Sequence, residues 1–205
     1  MTFDEALASL PIIAIVRGVE PDQAVSIGEA LYDQGVRAME VPLNSPEPLE
    51  SIRHLATRFG GQMLIGAGTV LSSEQVASVK AVGGQFIVSP NTDAAVIGAS
   101  LALGLDALPG FSTPTEAFAA IAAGARFLKL FPASSYGSAH VKAIRAVLPQ
   151  AVKIIAVGGI GQGGTAPWLE AGVNGFGLGS ELYRPGFSPD EVGKRTAACV
   201  ATLGR

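Results

Sequence analysis

Charge is scarce in this sequence: Asp, Glu, Lys and Arg together make up 15% of its residues, and the net charge is only -3. No basic patch of the kind that nucleic-acid binding needs is present, and the one dense basic pair, Lys194-Arg195, reads as a solvated helix face. Aromatic residues are 6% of the chain, too few for a base-stacking platform. The two histidines, His54 and His140, both fall in helical patterns, so no imidazole cluster is available to a catalytic metal. No serine–histidine or cysteine–histidine arrangement suggests acyl transfer. The single cysteine, Cys199, has no internal disulfide partner, which fits a reducing compartment. It sits in an apolar stretch of the last helical pattern and reads as structural. No apolar run approaches the ~18–20 residues of a membrane span. The first residues, Met1-Thr2-Phe3-Asp4-Glu5, are acidic and lack the charged and apolar regions of a signal peptide. A soluble cytoplasmic protein is therefore expected, with neither membrane nor nucleic acid as a partner. Linkers, low-complexity tracts and composition shifts are missing as well. Residues 1–205 read as one domain, and at 48% hydrophobic they can bury a substantial core.

What the chain does have is a rhythm. Short apolar runs alternate with Ala-rich helical stretches, and eight such runs can be counted: Ile12–Arg17, Ala38–Leu43, Met63–Ala67, Gln85–Ser89, Asp106–Leu108, Arg126–Phe131, Lys153–Val157 and Gly175–Leu178. Helical patterns lie between them, at Asp22–Gln34, Pro48–Phe59, Ser73–Val82, Asp93–Leu103, Thr115–Ala123, Ser138–Val147 and Ala166–Glu170. Start signals such as Glu20-Pro21-Asp22, Ser72-Ser73-Glu74 and Thr113-Pro114-Thr115-Glu116 place a cap or proline at the first turn. Stop signals follow at Gly35, Gly83-Gly84, Gly104, Gly124 and Gly172. The strand runs are almost continuously apolar, as parallel strands covered on both faces are. Eight short units predict an α/β fold closed as a TIM-type (β/α)8 barrel, with an extra N-terminal helix (Thr2–Ser9) and a final helix (Pro189–Leu203). An open doubly wound sheet is the alternative, but the first strand–helix turn lacks a dinucleotide glycine fingerprint.

Two ionisable residues interrupt runs that are otherwise apolar: Glu40 in Ala38-Met39-Glu40-Val41-Pro42-Leu43 and Lys129 in Phe127-Leu128-Lys129-Leu130-Phe131. A charge buried without a partner costs several kcal/mol, so each needs a partner or a ligand. A structural ion pair inside the barrel would satisfy that need. A chemical role does so with more reason: an apolar pocket lowers a lysine pKa and frees an amine to attack a carbonyl, while a nearby carboxylate shuttles protons. Arg17 ends the first strand, where its fork suits a carboxylate or phosphate, although arginines are also common at strand exits. Thr69, in Gly66-Ala67-Gly68-Thr69-Val70, follows the third strand among glycines that would let a ligand approach the backbone, or that simply make a tight turn. Glycine-rich turns follow strands seven and eight, Val157-Gly158-Gly159-Ile160-Gly161 and Gly177-Leu178-Gly179-Ser180. In phosphate-binding barrels these two loops cradle the phosphate with backbone N–H groups, and Ser180 could add a hydroxyl.

Five stretches together resemble a known family. Glu40-Val41-Pro42-Leu43-Asn44-Ser45-Pro46, Gly66-Ala67-Gly68-Thr69-Val70, Phe86-Ile87-Val88-Ser89-Pro90, Lys129-Leu130-Phe131-Pro132-Ala133 and Val157-Gly158-Gly159-Ile160 are similar to the 2-keto-3-deoxy-6-phosphogluconate and 2-keto-3-deoxy-6-phosphogalactonate aldolases. The likeness runs in order over essentially the whole chain. It implies a homotrimeric barrel, no cofactor or metal, and reversible class I cleavage of a phosphorylated keto sugar acid to pyruvate and glyceraldehyde 3-phosphate. It implies Lys129 as the Schiff-base lysine and Glu40 as the general acid/base. Arg17 and Thr69 would surround the keto-acid end, Gly158, Gly159 and Ser180 the phosphate end, and Pro90, Val157 and Gly179 complete the substrate-binding set. The gluconate enzymes typically carry Glu-Val-Thr-Leu-Arg-Thr, where this chain has Asn44 in place of the arginine; they also tend to have Thr where Val157 stands. Both features look like the galactonate branch, with the gluconate epimer, or both, as the alternative. Relatives also often have a Pro and an Asn where this chain reads Gly161-Gln162-Gly163-Gly164-Thr165. Two other classes stay open at this point: a phosphosugar isomerase or epimerase using Glu40 as base, and a barrel that only binds a phosphorylated sugar acid.

Overall fold

The computed structural model describes residues 1–160 and 164–203. Its strands are β1 (Ile12–Ile15), β2 (Ala38–Pro42), β3 (Leu64–Gly68), β4 (Phe86–Val88), β5 (Asp106–Leu108), β6 (Gly110–Phe111), β7 (Phe127–Leu130), β8 (Lys153–Val157) and β9 (Gly175–Leu178). The helices are α1 (Phe3–Ser9), α2 (Pro21–Asp33), α3 (Pro48–Phe59), α4 (Ser73–Ala81), α5 (Ala94–Ala102), α6 (Pro114–Ala122), α7 (Ala133–Arg145), α8 (Ala166–Glu170) and α9 (Pro189–Ala201). Each of the eight apolar runs coincides with a strand to within a residue or two at its ends, and every pairing is parallel.

The sheet order is β5-β4-β3-β2-β1-β9-β8-β7-β6. Its two outer strands, β5 and β6, are consecutive in the chain and separated only by Pro109, so the sheet closes on itself and the fold is the expected (β/α)8-like barrel. The fifth run extends past its predicted end at Leu108 for this reason. Proline has no N–H to give to a ladder, so the strand is interrupted at that residue. Its carbonyl still accepts the Lys129 N–H at 2.9 Å, which ties the break to β7.

Two apolar layers follow from the two-residue period of the strands. Residues such as Met39, Val41, Leu128 and Leu130 face outward against the helices, while Ile13, Ala38, Leu64, Phe86, Phe127 and Ile155 face the barrel interior. Helix α1 plugs the N-terminal pole of that interior. Thr2 and Glu5 cap it reciprocally, and the buried Phe3 ring packs edge-on against Phe86 at 5.0 Å and Phe127 at 4.8 Å. Asp4 fastens it from outside through Lys153 at 2.5 Å and Arg126 at 3.2 Å. With that pole filled by phenyl rings, the space left open inside the barrel lies at the C-terminal pole.

The predicted caps hold: Ser72 accepts from Gln75 N–H, and Thr113 and Glu116 form a capping box. At the stop glycine Gly124 φ is 99°, which lets the chain leave α6 without a Cβ clash. Helix α7 begins earlier than the predicted Ser138. A helical turn from Ala133 precedes a break at Gly137 (φ 77°, ψ 169°), and the Ser134 N–H is held by the Gly158 carbonyl at 3.0 Å. The start of α7 is thus pinned to the loop after β8. Residues 161–163 of the glycine-rich stretch 161–165 lie outside the described residues.

Candidate active site

Lys129 projects inward because its neighbours Leu128 and Leu130 take the outward positions. Its register partners are Gly110 and Ile155; the missing Cβ of Gly110 lets the Pro90–Asn91 backbone pack close on one side, and Ile155 forms an aliphatic wall on the other. Glu40 occupies the corresponding inward position in β2, paired with Ile15 and Gly66. They are the only Lys, Arg, Asp or Glu residues buried among the described residues, at 7% and 2% exposure.

Each perturbs the other. Burial pushes the Glu40 carboxyl up to about 7, against the opposing pull of Lys129 and Arg17. Burial also holds the Lys129 ammonium below the usual lysine range; Glu40 opposes that shift and Arg17 adds to it. Near neutral pH Glu40 therefore populates both protonation states, as a group that gives and takes protons within one cycle must. Its Oε2 is buried without a hydrogen-bond partner, an expensive condition that a substrate hydroxyl or a bridging water would relieve. The carboxyl fits there only because residue 68 is glycine: a Cβ at Gly68 would overlap the Glu40 carboxylate.

Around this pair lies a cavity of about 200 Å³ at the C-terminal pole. Every residue singled out from the sequence lines it: Arg17, Glu40, Thr69, Pro90, Lys129, Val157, Gly158, Gly159, Gly179 and Ser180. Grooves elsewhere are larger, such as one of about 440 Å³ beside α3 and α4, but they hold neither of the two buried charges. Arg17 stands at the mouth, where its Nη1 donates to Asn44 Oδ1 while the Gly18 N–H donates to Ser45 Oγ at 2.9 Å. The loop after β2 thus orients the guanidinium. Thr69 has φ 57°, a left-handed conformation that a β-branched residue adopts only under constraint, and such strain gathers at ligand sites. Gly158 and Gly159 (φ 94° and 73°) turn the chain sharply away from β8, and a Cβ at Gly159 would lie 2.7 Å from Ser134 Oγ.

The cavity also contains Ile15, Phe131, Gly177 and Glu181, which the sequence reading did not single out. The first three were accessible in principle, since counting by two from Arg17, Lys129 and Gly179 reaches them. Phe131 puts its ring 4.7 Å from Lys129 Nζ, and Gly177 makes room for Val157. Glu181 carried no signal; its Oε2 accepts the Gly179 N–H at 3.1 Å. The histidines are elsewhere: His54 contacts Pro21 and Glu50 on α3, and His140 contacts Ser112 from α7. Among the described residues no group of three His, Cys, Asp or Glu is placed to hold a metal ion. Cys199 is half-buried in α9.

Comparison with known proteins gives the family of the chain. Residues 3–191 match the family described as KDPG and KHG aldolase. The 2-dehydro-3-deoxy-6-phosphogalactonate aldolase of Escherichia coli K12 is 46% identical over 93% of this chain and 93% of its own, and a probable enzyme of the same name from Rhizobium meliloti is 47% identical over 93% and 90%. A solved structure titled native KDPGal superposes with a TM-score of 0.93 at 45% identity, covering 95% of each chain. A KDPG aldolase from Legionella pneumophila, with pyruvate captured as a covalent carbinolamine, superposes with a TM-score of 0.82 at 28% identity over 96% of each chain. Matched over residues 3–191, and at 46–47% identity to relatives across nearly its whole length, this chain belongs to the KDPG and KHG aldolase family.

Proposed function

We propose that this chain is a class I aldolase that cleaves 2-dehydro-3-deoxy-6-phosphogalactonate to pyruvate and glyceraldehyde 3-phosphate, with Lys129 as the imine-forming nucleophile. The observation that carries the reading is a lysine buried in the barrel's cavity beside a carboxyl raised to about 7. Neutral Lys129 Nζ adds to the C2 ketone, and Glu40 donates a proton as the carbinolamine expels water, leaving a protonated imine. The C3–C4 bond then breaks. Its electron pair flows into the iminium to give an enamine, while Glu40 takes the C4 hydroxyl proton and glyceraldehyde 3-phosphate departs. The enamine is protonated at C3, and water adds to the iminium to release pyruvate and restore the amine. Arg17 faces the keto-acid carboxylate with Thr69 and Pro90 beside it, and the turns at Gly158-Gly159 and Gly179-Ser180 receive the phosphate. The covalent capture of pyruvate in the Legionella relative supports the same first step here.

Two observations favour the galactonate epimer. The relatives at 46–47% identity carry the galactonate name, whereas those named for the gluconate are 32–34% identical over less of the chain. Val157 also lines the cavity with an aliphatic side chain, so it offers no hydroxyl to the substrate there. We place the enzyme in the cytoplasm, as its sequence suggests, and, following the family resemblance, as a homotrimer.

The test is borohydride reduction in the presence of pyruvate, with peptide mapping, followed by turnover of both epimers. A reduced adduct on Lys129 and faster cleavage of the galactonate are expected. Lys129→Ala should lose the adduct and drop turnover by at least ~10³-fold while remaining folded. Near-wild-type activity in that variant would sink the mechanism, and absence of an adduct on folded wild-type protein would favour an isomerase in which Lys129 is an electrostatic residue.

A further inference from the structure

The carboxylate of Glu181 sits at the end of the cavity assigned above to the phosphate, where a negative charge is least expected. Its Oε2 accepts the Gly179 N–H at 3.1 Å, so in this structure a cradle donor is already occupied by an anion belonging to the chain. A phosphate dianion cannot take that N–H while the carboxylate remains: the two charges would stand a few ångströms apart in a partly buried site. Glu181 also lines a second cavity, of about 750 Å³, that shares Gly159, Ser180 and Glu181 with the first, and Arg184 and Arg195 lie on its walls. Arg195 is engaged with Glu191 at 2.6 Å. Arg184 is exposed, gives its Nε–H to the Ser180 carbonyl at 3.2 Å, and makes no ion pair among the described residues. The charge of Glu181 already reaches this second cavity: the half-buried Cys199 thiol there is pushed up first by burial, then by Glu181, with Arg195 opposing.

We infer that Glu181 is a displaceable latch on the phosphate end, holding the Gly179 N–H while the site is empty and turning outward to Arg184 when a phosphate monoester arrives. Its carboxylate thereby sets how tightly the phosphorylated aldehyde is held and how readily it leaves. The inference rests on the phosphate end assigned under the proposed function and adds a specificity-determining residue to it. Binding then exchanges one anion for another on the same donor. That exchange favours a dianion able to engage several N–H groups over a neutral aldehyde that would leave the carboxylate in place.

The experiment measures inorganic phosphate as a competitive inhibitor against glyceraldehyde 3-phosphate in the condensation direction, in wild type, Glu181→Gln, Glu181→Ala and Arg184→Gln. Both Glu181 variants should lower the inhibition constant and the KM for the aldehyde by on the order of tenfold, the change expected on removing a charge from a hydrogen-bonded site. The KM for pyruvate and borohydride trapping should stay as in wild type, which keeps the effect at one end of the cavity. Arg184→Gln should weaken phosphate binding when Glu181 is present and have little effect in the Glu181→Ala background. Unchanged or weaker phosphate binding in folded Glu181→Ala would overturn the latch and make the carboxylate a fixed cap on its turn. An equal effect of Arg184→Gln in both backgrounds would overturn it too, making Arg184 a direct phosphate ligand. If phosphate fails to compete in wild type while trapping at Lys129 persists, the phosphate-end assignment falls and the latch with it.

Discussion

Glu40 illustrates how a single residue sets chemistry against stability. Its carboxyl is held at about 7 in the folded chain, against an ordinary value of 4.5. The folded state therefore keeps this proton where the unfolded state has lost it. Stability attributable to Glu40 is fully present below pH 4.5, declines as pH rises through the interval, and is gone above 7. Glu40→Gln removes the ionisation, so the variant should match wild type at pH 4.5 and exceed it at pH 8 by on the order of 1–3 kcal/mol. The same variant should lose most of its turnover while still forming some imine. Thermal unfolding at the two pH values checks the first claim; a difference that does not change with pH would refute it. Residues of this kind were legible in the sequence because a charge in an apolar strand needs an explanation. Asn44 was noticed there only as a departure from a pattern, and its contact with Arg17 became visible once the loops after β1 and β2 lay side by side. Gly68 lies within a motif readable in the sequence, but that its missing Cβ leaves room for the Glu40 carboxyl depends on the β2–β3 register.

At the scale of elements, α1 does more than precede the barrel. Phe3 is 1% exposed and fills the N-terminal pole between Phe86 and Phe127, partners that lie far from it in sequence. Phe3→Ala should leave a cavity that the surrounding strands cannot collapse into, at a cost of about 3–5 kcal/mol. Because the site lies at the opposite pole, kcat measured well below the melting temperature should stay within about twofold of wild type. Denaturant unfolding beside steady-state kinetics tests both, and a loss under ~1 kcal/mol would mean that α1 is ornamental to the core. The caps and stop glycines made element identity readable from local chemistry. Two boundaries were not local. The fifth strand resumes after Pro109 because its carbonyl is needed by β7, and α7 starts early because Ser134 is tied to Gly158 across the sheet.

For the whole molecule, closure of the barrel brings strands two and seven to bear on one cavity, although 89 positions separate Glu40 from Lys129 in the chain. Large apolar side chains on neighbouring helices remain uncovered: Leu101 on α5 is 39% exposed and Phe118 on α6 is 44% exposed. Burying such side chains between copies fits the proposed homotrimer. Light scattering should then give about three times the 20.8 kDa chain mass at micromolar concentration, and a monomer mass under those conditions would remove the trimer from the proposal.

The chain's own pattern determined the architecture and pointed to the two groups proposed to react, since a strand–helix rhythm and a buried charge are both local departures from random composition. Tertiary structure alone decided which side of each strand faces the cavity, how far the carboxyl of Glu40 is desolvated, and that Glu181 meets Gly179 at the far end. Those depend on closure and register, and register is a relation between segments that no single segment contains.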